Sequence, residues 1–230
     1  MTILDQMLAD LEAESAQLDG WVALLDEAGW GTVTTPEGWT VTHQIGHLHW
    51  TDIASLTAIT DEAAFAEGLK EAAANPTGFV DLGAEEMALI PPAELLPLWR
   101  QGREDLQAAL RGVPDGEKIP WYGPPMSPVS MVTARVMETW AHSHDVAETL
   151  GIQVPKTSRA RHVAHIGVRA RGYAYMMRGE QIPEGDVRVE LNGPDGDLWT
   201  WGPEDAAERV TGSGYDFALL VTRRRHRDDL

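Results

Sequence analysis

The sequence predicts a mainly helical fold, a four-helix bundle followed by a small α+β unit, and three observations predict it. Four long segments carry apolar residues at the helical spacing of three and four. Loops rich in glycine and proline separate those segments. After Val187 the pattern shifts to the two-residue alternation of strands. On this reading residues 1–155 form the bundle, and residues 156–230 form a connecting helix plus the small α+β domain.

The first segment places Ile3, Leu4, Met7, Leu8, Leu11, Leu18, Val22 and Leu25 on one helical stripe, with Gly29 and Gly31 as stop signals. Thr34 to Trp39 reads as a loop, and Thr40 is placed to cap a second helix running through Ile59. Asn75-Pro76-Thr77-Gly78 breaks the pattern. A third helix starts at Pro91 or Pro92, where proline is tolerated in the first turn, and runs to Arg111. Five prolines between Gly112 and Pro128 exclude a helix there. The fourth helix spans Val129 to Leu150 and stops at Gly151. A further helical stretch follows from Ser158 to Met177. Val187, Val189 and Leu191 begin a strand, the turn residues 192–197 follow, and Leu198 to Trp201 begins a second strand. Pro203 to Val210 reads as helical, and Phe217 to Thr222 as a short β-branched or apolar run.

Composition narrows the function. Residues 1–150 hold 24 acidic and 6 basic side chains, a balance of −18, while residues 151–230 hold 12 of each. An acidic body lacks the basic footprint that phosphate backbones require, so nucleic acid is not the expected partner. The basic run Lys156, Arg159, Arg161, Arg169, Arg171 and Arg178 reads as a solvated or interface face, with an anion-attracting rim as the other reading. No apolar run reaches the roughly 18 residues of a membrane span. The acidic, amphipathic N-terminus does not resemble a targeting peptide, so the expected location is the cytoplasm. With no cysteine, any metal ligands must be imidazole and carboxylate, and any reacting sulfur must come from a small molecule.

The fourth helix carries Glu138 and His142, about 40° apart on one face, with Asp145 and Arg135 on the same side. A Glu and a His one turn apart, facing inward, are a recurring pattern in bundle metal sites. By itself an i,i+4 Glu–His pair is also an ordinary surface pair. The second helix offers His43, His47 and His49, and periodicity does not choose among them.

The choice comes from a resemblance. Gly38-Trp39-Thr40-Val41 followed by Gln44-Ile45-Gly46-His47-Leu48 resembles the signature of DinB-like metalloproteins, in particular the mycothiol-dependent maleylpyruvate isomerase family of actinobacteria. Arg161-His162-Val163-Ala164-His165, Pro194-Asp195-Gly196, Trp199-Thr200-Trp201-Gly202 and Val221-Thr222-Arg223-Arg224-Arg225-His226 resemble one subfamily of that group, across nearly the whole chain. The resemblance implies a DinB-like bundle with metal ligands at His47, Glu138 and His142. The implied metal is Zn2+, with Ni2+ or Fe2+ as alternatives, and mycothiol is the implied co-substrate. Asp145 is then a candidate to orient a ligand imidazole. Arg135 is a candidate to steer a substrate carboxylate or to pair with Glu138 or a neighbour. Arg224 falls where the isomerases place an arginine near their C-terminal strand, although a plain basic tail is the competing reading. His49 and His144 read as structural or exposed. Relatives continue past the position of Leu230, which implies a shortened C-terminus.

Family members add a low-molecular-weight thiol to an electrophile: isomerases add it to a conjugated double bond and eliminate it after rotation, and S-transferases leave it attached. Two other readings stay open. One is a thiol-independent hydrolase, lyase or cyclase on the same bundle, and the other is a non-catalytic metal-containing binding module. Related bundles occur as monomers and dimers, which leaves a homodimer open.

Overall fold

The computed structural model describes residues 1–230, which divide into two compact units, Met1–Gln153 and Val154–Leu230. The first unit is helical. Its elements are α1 (Ile3–Val22), α2 (Glu27–Trp30), α3 (Val41–Thr60), α4 (Glu62–Ala74), α5 (Phe79–Ala88), α6 (Pro92–Gly112) and α7 (Pro128–Leu150). The long helices α1, α3, α6 and α7 form the four-helix bundle, with α3 packed on α6 and α7, and α1 on α7. Each buries an apolar stripe. Leu8, Leu11, Leu106, Leu110, Met131 and Val132 fill one end of the core. Leu18, Ile45, Leu48, Leu95, Trp99 and Val146 fill the other.

The helix ends follow local chemistry. Thr2 caps α1 through a reciprocal pair with Asp5, and Ser127 caps α7 with Pro128 in its first turn. The first segment ends earlier than expected from Gly29 and Gly31. The Asp26 side chain accepts from the Gly29 backbone N–H at 2.8 Å and starts the separate short helix α2. Two helices not anticipated in the sequence, α4 and α5, flank the break at residues 75–78. Gly46 lets α5 approach α3, since a Cβ there would lie 3.0 Å from the Met87 Cβ. No helix is long and apolar enough to cross a membrane.

An ion pair ties α1 to α6. Asp19 accepts from Arg100 Nε at 2.8 Å and Nη2 at 2.6 Å, and Arg103 Nη2 stands 3.4 Å away. The Arg100 hydrogen bonds, opposed by burial, hold the Asp19 carboxyl below its ordinary range. A lowered folded value means that the stabilisation is complete above the unfolded value of about 3.9 and is lost as pH falls through the folded one. Urea unfolding across pH 2–6 is expected to show Asp19→Asn with a flatter acid limb than the parent.

The second unit holds α8 (Ala160–Arg169), α9 (Arg171–Met177), β1 (Val187–Asn192), β2 (Leu198–Trp201), β3 (Glu208–Ser213) and α10 (Gly214–Val221). The sheet order is β2-β1-β3. The β1–β2 pair is antiparallel, with Leu191 opposite Trp199, and β1–β3 is parallel, with Val189 opposite Val210. Val189, Leu191 and Trp199 are buried, as are Val163 and Ala164 of α8 and Ala218 of α10, and α10 packs on α8.

Three local expectations are corrected here. The stretch from Ser158 to Met177 is two helices meeting at Ala170, not one. Residues 203–210, read as helical, supply a turn and the start of β3, because pairing along β1 outweighs the weak helical preference of Ala206 to Arg209. The apolar run from Phe217 lies in α10, whose start Ser213 caps by accepting from the Asp216 N–H at 3.2 Å.

Candidate metal centre

The bundle core brings three side chains from two helices to one point. His47 projects from α3, and Glu138 and His142 from successive turns of α7. One ligand atom from each lies within 4.8 Å of the other two. His47 Nε2 stands 3.1 Å from Glu138 Oε2, and His142 Nε2 stands 3.4 Å from the same oxygen. The imidazole centroids are 4.5 Å apart. Both histidines are buried, while the Glu138 side chain is 28% exposed. Burial acts to raise the Glu138 carboxyl, but the imidazoles of His142 and His47 beside it, with the nearby Arg135 guanidinium, hold it well below the carboxylate range.

The other histidines lie elsewhere, so His47 is the histidine of α3 that meets Glu138 and His142. His43 Nδ1 accepts from the Thr40 backbone N–H at 3.2 Å and lies 2.8 Å from Thr40 Oγ1, so His43 closes the N-terminus of α3. His49 is buried toward α6, where its ring lies 3.3 Å from the Cβ position of Gly102. His144 is buried on the far side of α7 and donates from Nδ1 to the Trp140 carbonyl at 2.6 Å.

A directional hydrogen-bond chain sets the tautomer of His142. Thr34 Oγ1 donates to the Trp39 carbonyl at 3.1 Å and accepts from Gln44 Nε2 at 2.8 Å. The Gln44 carbonyl oxygen therefore faces His142 and takes a short hydrogen bond from Nδ1–H. In neutral imidazole this leaves the Nε2 lone pair aimed at Glu138 and His47, the form a metal ligand needs. Gln44 belongs to the Gln44-Ile45-Gly46-His47-Leu48 signature, and its position one helical turn before His47 is the sequence signal for this role. Gln44→Leu is expected to weaken divalent-metal affinity by about 10–100-fold, read by competition against a chromogenic chelator.

Asp145, the orienting group expected from the sequence, is buried with Oδ2 3.7 Å from the same Nδ1. Arg135 occupies a different place from a substrate-steering residue. Its side chain is 2% exposed, its Nε donates to Asp52 at 3.0 Å, and its Nη2 donates to Thr51 Oγ1. Thr51 Oγ1 in turn donates to the His47 carbonyl at 2.9 Å, so this group ties α7 to the ligand-bearing turn of α3. Arg135 does pair with a neighbour, but that neighbour is Asp52 rather than Glu138. Arg224 belongs to the second unit, in the turn after α10, and donates from Nη1 to the Thr222 carbonyl at 2.8 Å. Trp39 stacks on His142 with centroids 5.9 Å apart and planes 12° from parallel, and Trp50 flanks His47 at 6.2 Å. These rings set apolar surface beside the two imidazoles.

The donor set suits a metal. Two imidazoles and one carboxylate oxygen converge, and one imidazole is locked in the ligating tautomer.

Residues 11–147 match the family model described as the mycothiol maleylpyruvate isomerase N-terminal domain. Residues 183–230 match a model described as wyosine base formation. Two proteins from two strains of Mycobacterium tuberculosis, both described as uncharacterised, are each 56% identical over 218 residues, spanning 95% of this chain and 85% of theirs. Among solved structures, that of the mycothiol-dependent maleylpyruvate isomerase superposes with a TM-score of 0.63 at 18% identity, covering 96% of this chain and 91% of that one. A histidine-to-alanine mutant of that enzyme gives 0.62 at 17%, with the same coverage. At these identities the structural likeness shows the fold.

Proposed function

We propose a function from one premise: the chain belongs to the mycothiol maleylpyruvate isomerase family. The proposed activity is that of a metal-dependent enzyme using a low-molecular-weight thiol, mycothiol, as S-transferase or cis–trans isomerase on a small electrophile. The convergence of His47, Glu138 and His142 carries this reading. These three residues would hold Zn2+, with Ni2+ and Fe2+ as the other candidates for a two-imidazole, one-carboxylate set. Such a cation, when bound with an open position, lowers the pKa of a bound thiol or water so that the nucleophile exists near neutral pH.

The chain's own residues do the rest. Gln44 keeps the proton on His142 Nδ1, and Asp145, near the same nitrogen, helps orient the ring. Arg135 and Thr51 hold the two ligand-bearing helices in register. Trp39 and Trp50 flank the imidazoles with apolar surface, which would leave a thiolate beside them less solvated and so more nucleophilic. Because the chain has no cysteine, the sulfur is the co-substrate's. In the isomerase version, the thiolate adds to one carbon of a conjugated double bond and the π pair moves into the conjugated carbonyl. Rotation follows, and the same carbon–sulfur bond then breaks. In the transferase version that bond remains and the adjacent carbon takes a proton. The proposed compartment is the cytoplasm, where small thiols stay reduced.

The test is an assay of the purified protein with mycothiol and a panel of electrophiles, following both thiol consumption and cis–trans ratio, with and without chelator. Metal-dependent adduct formation or isomerisation is expected. Absence of metal-dependent turnover with any thiol would remove the thiol reading.

A further inference from the structure

An open cleft of about 580 Å³ lies between α3, α4 and α5 of the first unit. None of the three converging ligands lines it, although Trp50, beside His47, forms part of its wall. The wall is a continuous aromatic surface. Trp50 meets Phe79 edge-on with centroids 5.1 Å apart and stacks with Tyr122 at 6.3 Å, and Tyr122 meets Phe65 at 5.1 Å. Gly83 makes this arrangement possible, because a Cβ there would come within 2.5 Å of the Trp50 ring. Ile53 and Leu82, both exposed, extend the apolar lining.

The charge in the cleft has one sign. Glu71 and Glu86 line it, and no lysine, arginine or histidine does. Lys70, the neighbour of Glu71 in sequence, is paired with Glu67 at 2.7 Å. Glu71 shares the cleft with Tyr122, whose hydroxyl burial and, secondarily, the Glu71 charge push up. Ring faces and carboxylates both attract cations, and an anion entering here would meet repulsion with no cationic side chain to offset it.

We propose that this cleft binds a small organic cation with an aromatic body, a protonated amine whose ring lies on the Trp50–Phe79–Tyr122 wall and whose ammonium faces Glu71 and Glu86. The volume lies within the roughly 300–1,000 Å³ of small-molecule sites. The inference rests on the cleft alone and is read by binding, so it stands apart from the metal-dependent activity.

Calorimetric titration of the full chain with 2-phenylethylamine, 2-phenylethanol and phenylacetate, at physiological salt, tests it. The amine is expected to bind saturably at one site, about tenfold tighter than the alcohol, and phenylacetate is expected not to bind. In the Glu71→Gln/Glu86→Gln variant, amine affinity should fall to within about threefold of the alcohol. Gly68→Leu, at a position whose Cβ would lie 3.5 Å from the Tyr122 hydroxyl, should abolish binding of both ligands. If that variant unfolds, the glutamine variant, which changes only exposed side chains, decides. No saturable amine binding, equal binding of phenylacetate, or amine affinity unchanged in the glutamine variant would each overturn the proposal.

Discussion

The His142→Ala variant is expected to bind a divalent cation at least about 10²-fold more weakly than the parent, because losing even an outer partner of a ligand costs 10–100-fold. The loss is larger than for Gln44→Leu, since a direct donor disappears rather than the group that orients it. Thiol-dependent turnover should fall to background with it. The fold should persist, because the bundle is held by the apolar clusters on either side of the centre. Elemental analysis after dialysis, with circular dichroism as the check on folding, reads the effect. Stoichiometric metal at parental affinity in this variant would show that His142 is no ligand.

Arg135→Met is expected to be the most destabilising single change near the centre, by about 3–5 kcal/mol. The side chain fits sterically, but Asp52 is left as a buried carboxylate with no cation against it. In the parent, burial already pushes the Asp52 carboxyl up, and Arg135 offsets only part of that rise. Without Arg135 the carboxyl rises further. A raised folded value means that the folded state binds a proton more readily than the unfolded chain. The penalty is therefore full at pH above the folded value and shrinks as pH falls through it. Urea unfolding should show a large loss at neutral pH and a smaller one in acid. The Asp52→Leu/Arg135→Met double variant should recover most of the stability, because an apolar pair of similar volume leaves no stranded charge. Equal losses in the single and double variants would show that packing, not charge, sets the effect.

The sequence made the long helices legible because each repeats apolar residues every three or four positions and carries recognisable stops such as the prolines between α6 and α7. The shorter elements were not legible. Helix α2 depends on one Asp26 cap, and β3 depends on a partner strand some twenty residues away, which no local window contains. At the centre, the Glu138–His142 spacing was readable from helical geometry. Which of His43, His47 and His49 meets that pair was not, since it turns on His43 being used for capping and His49 facing α6. Gln44 and Asp52 were missed for the same reason: each acts across a helix–helix interface, on a side chain about ninety residues away.

The convergence of His47, Glu138 and His142 on one cation is tested most directly by anomalous diffraction from crystals of the metal-loaded protein. One peak is expected, within about 2.0–2.2 Å of Nε2 of both histidines and a carboxylate oxygen of Glu138. A peak elsewhere on the chain, or none at full metal loading, would contradict it.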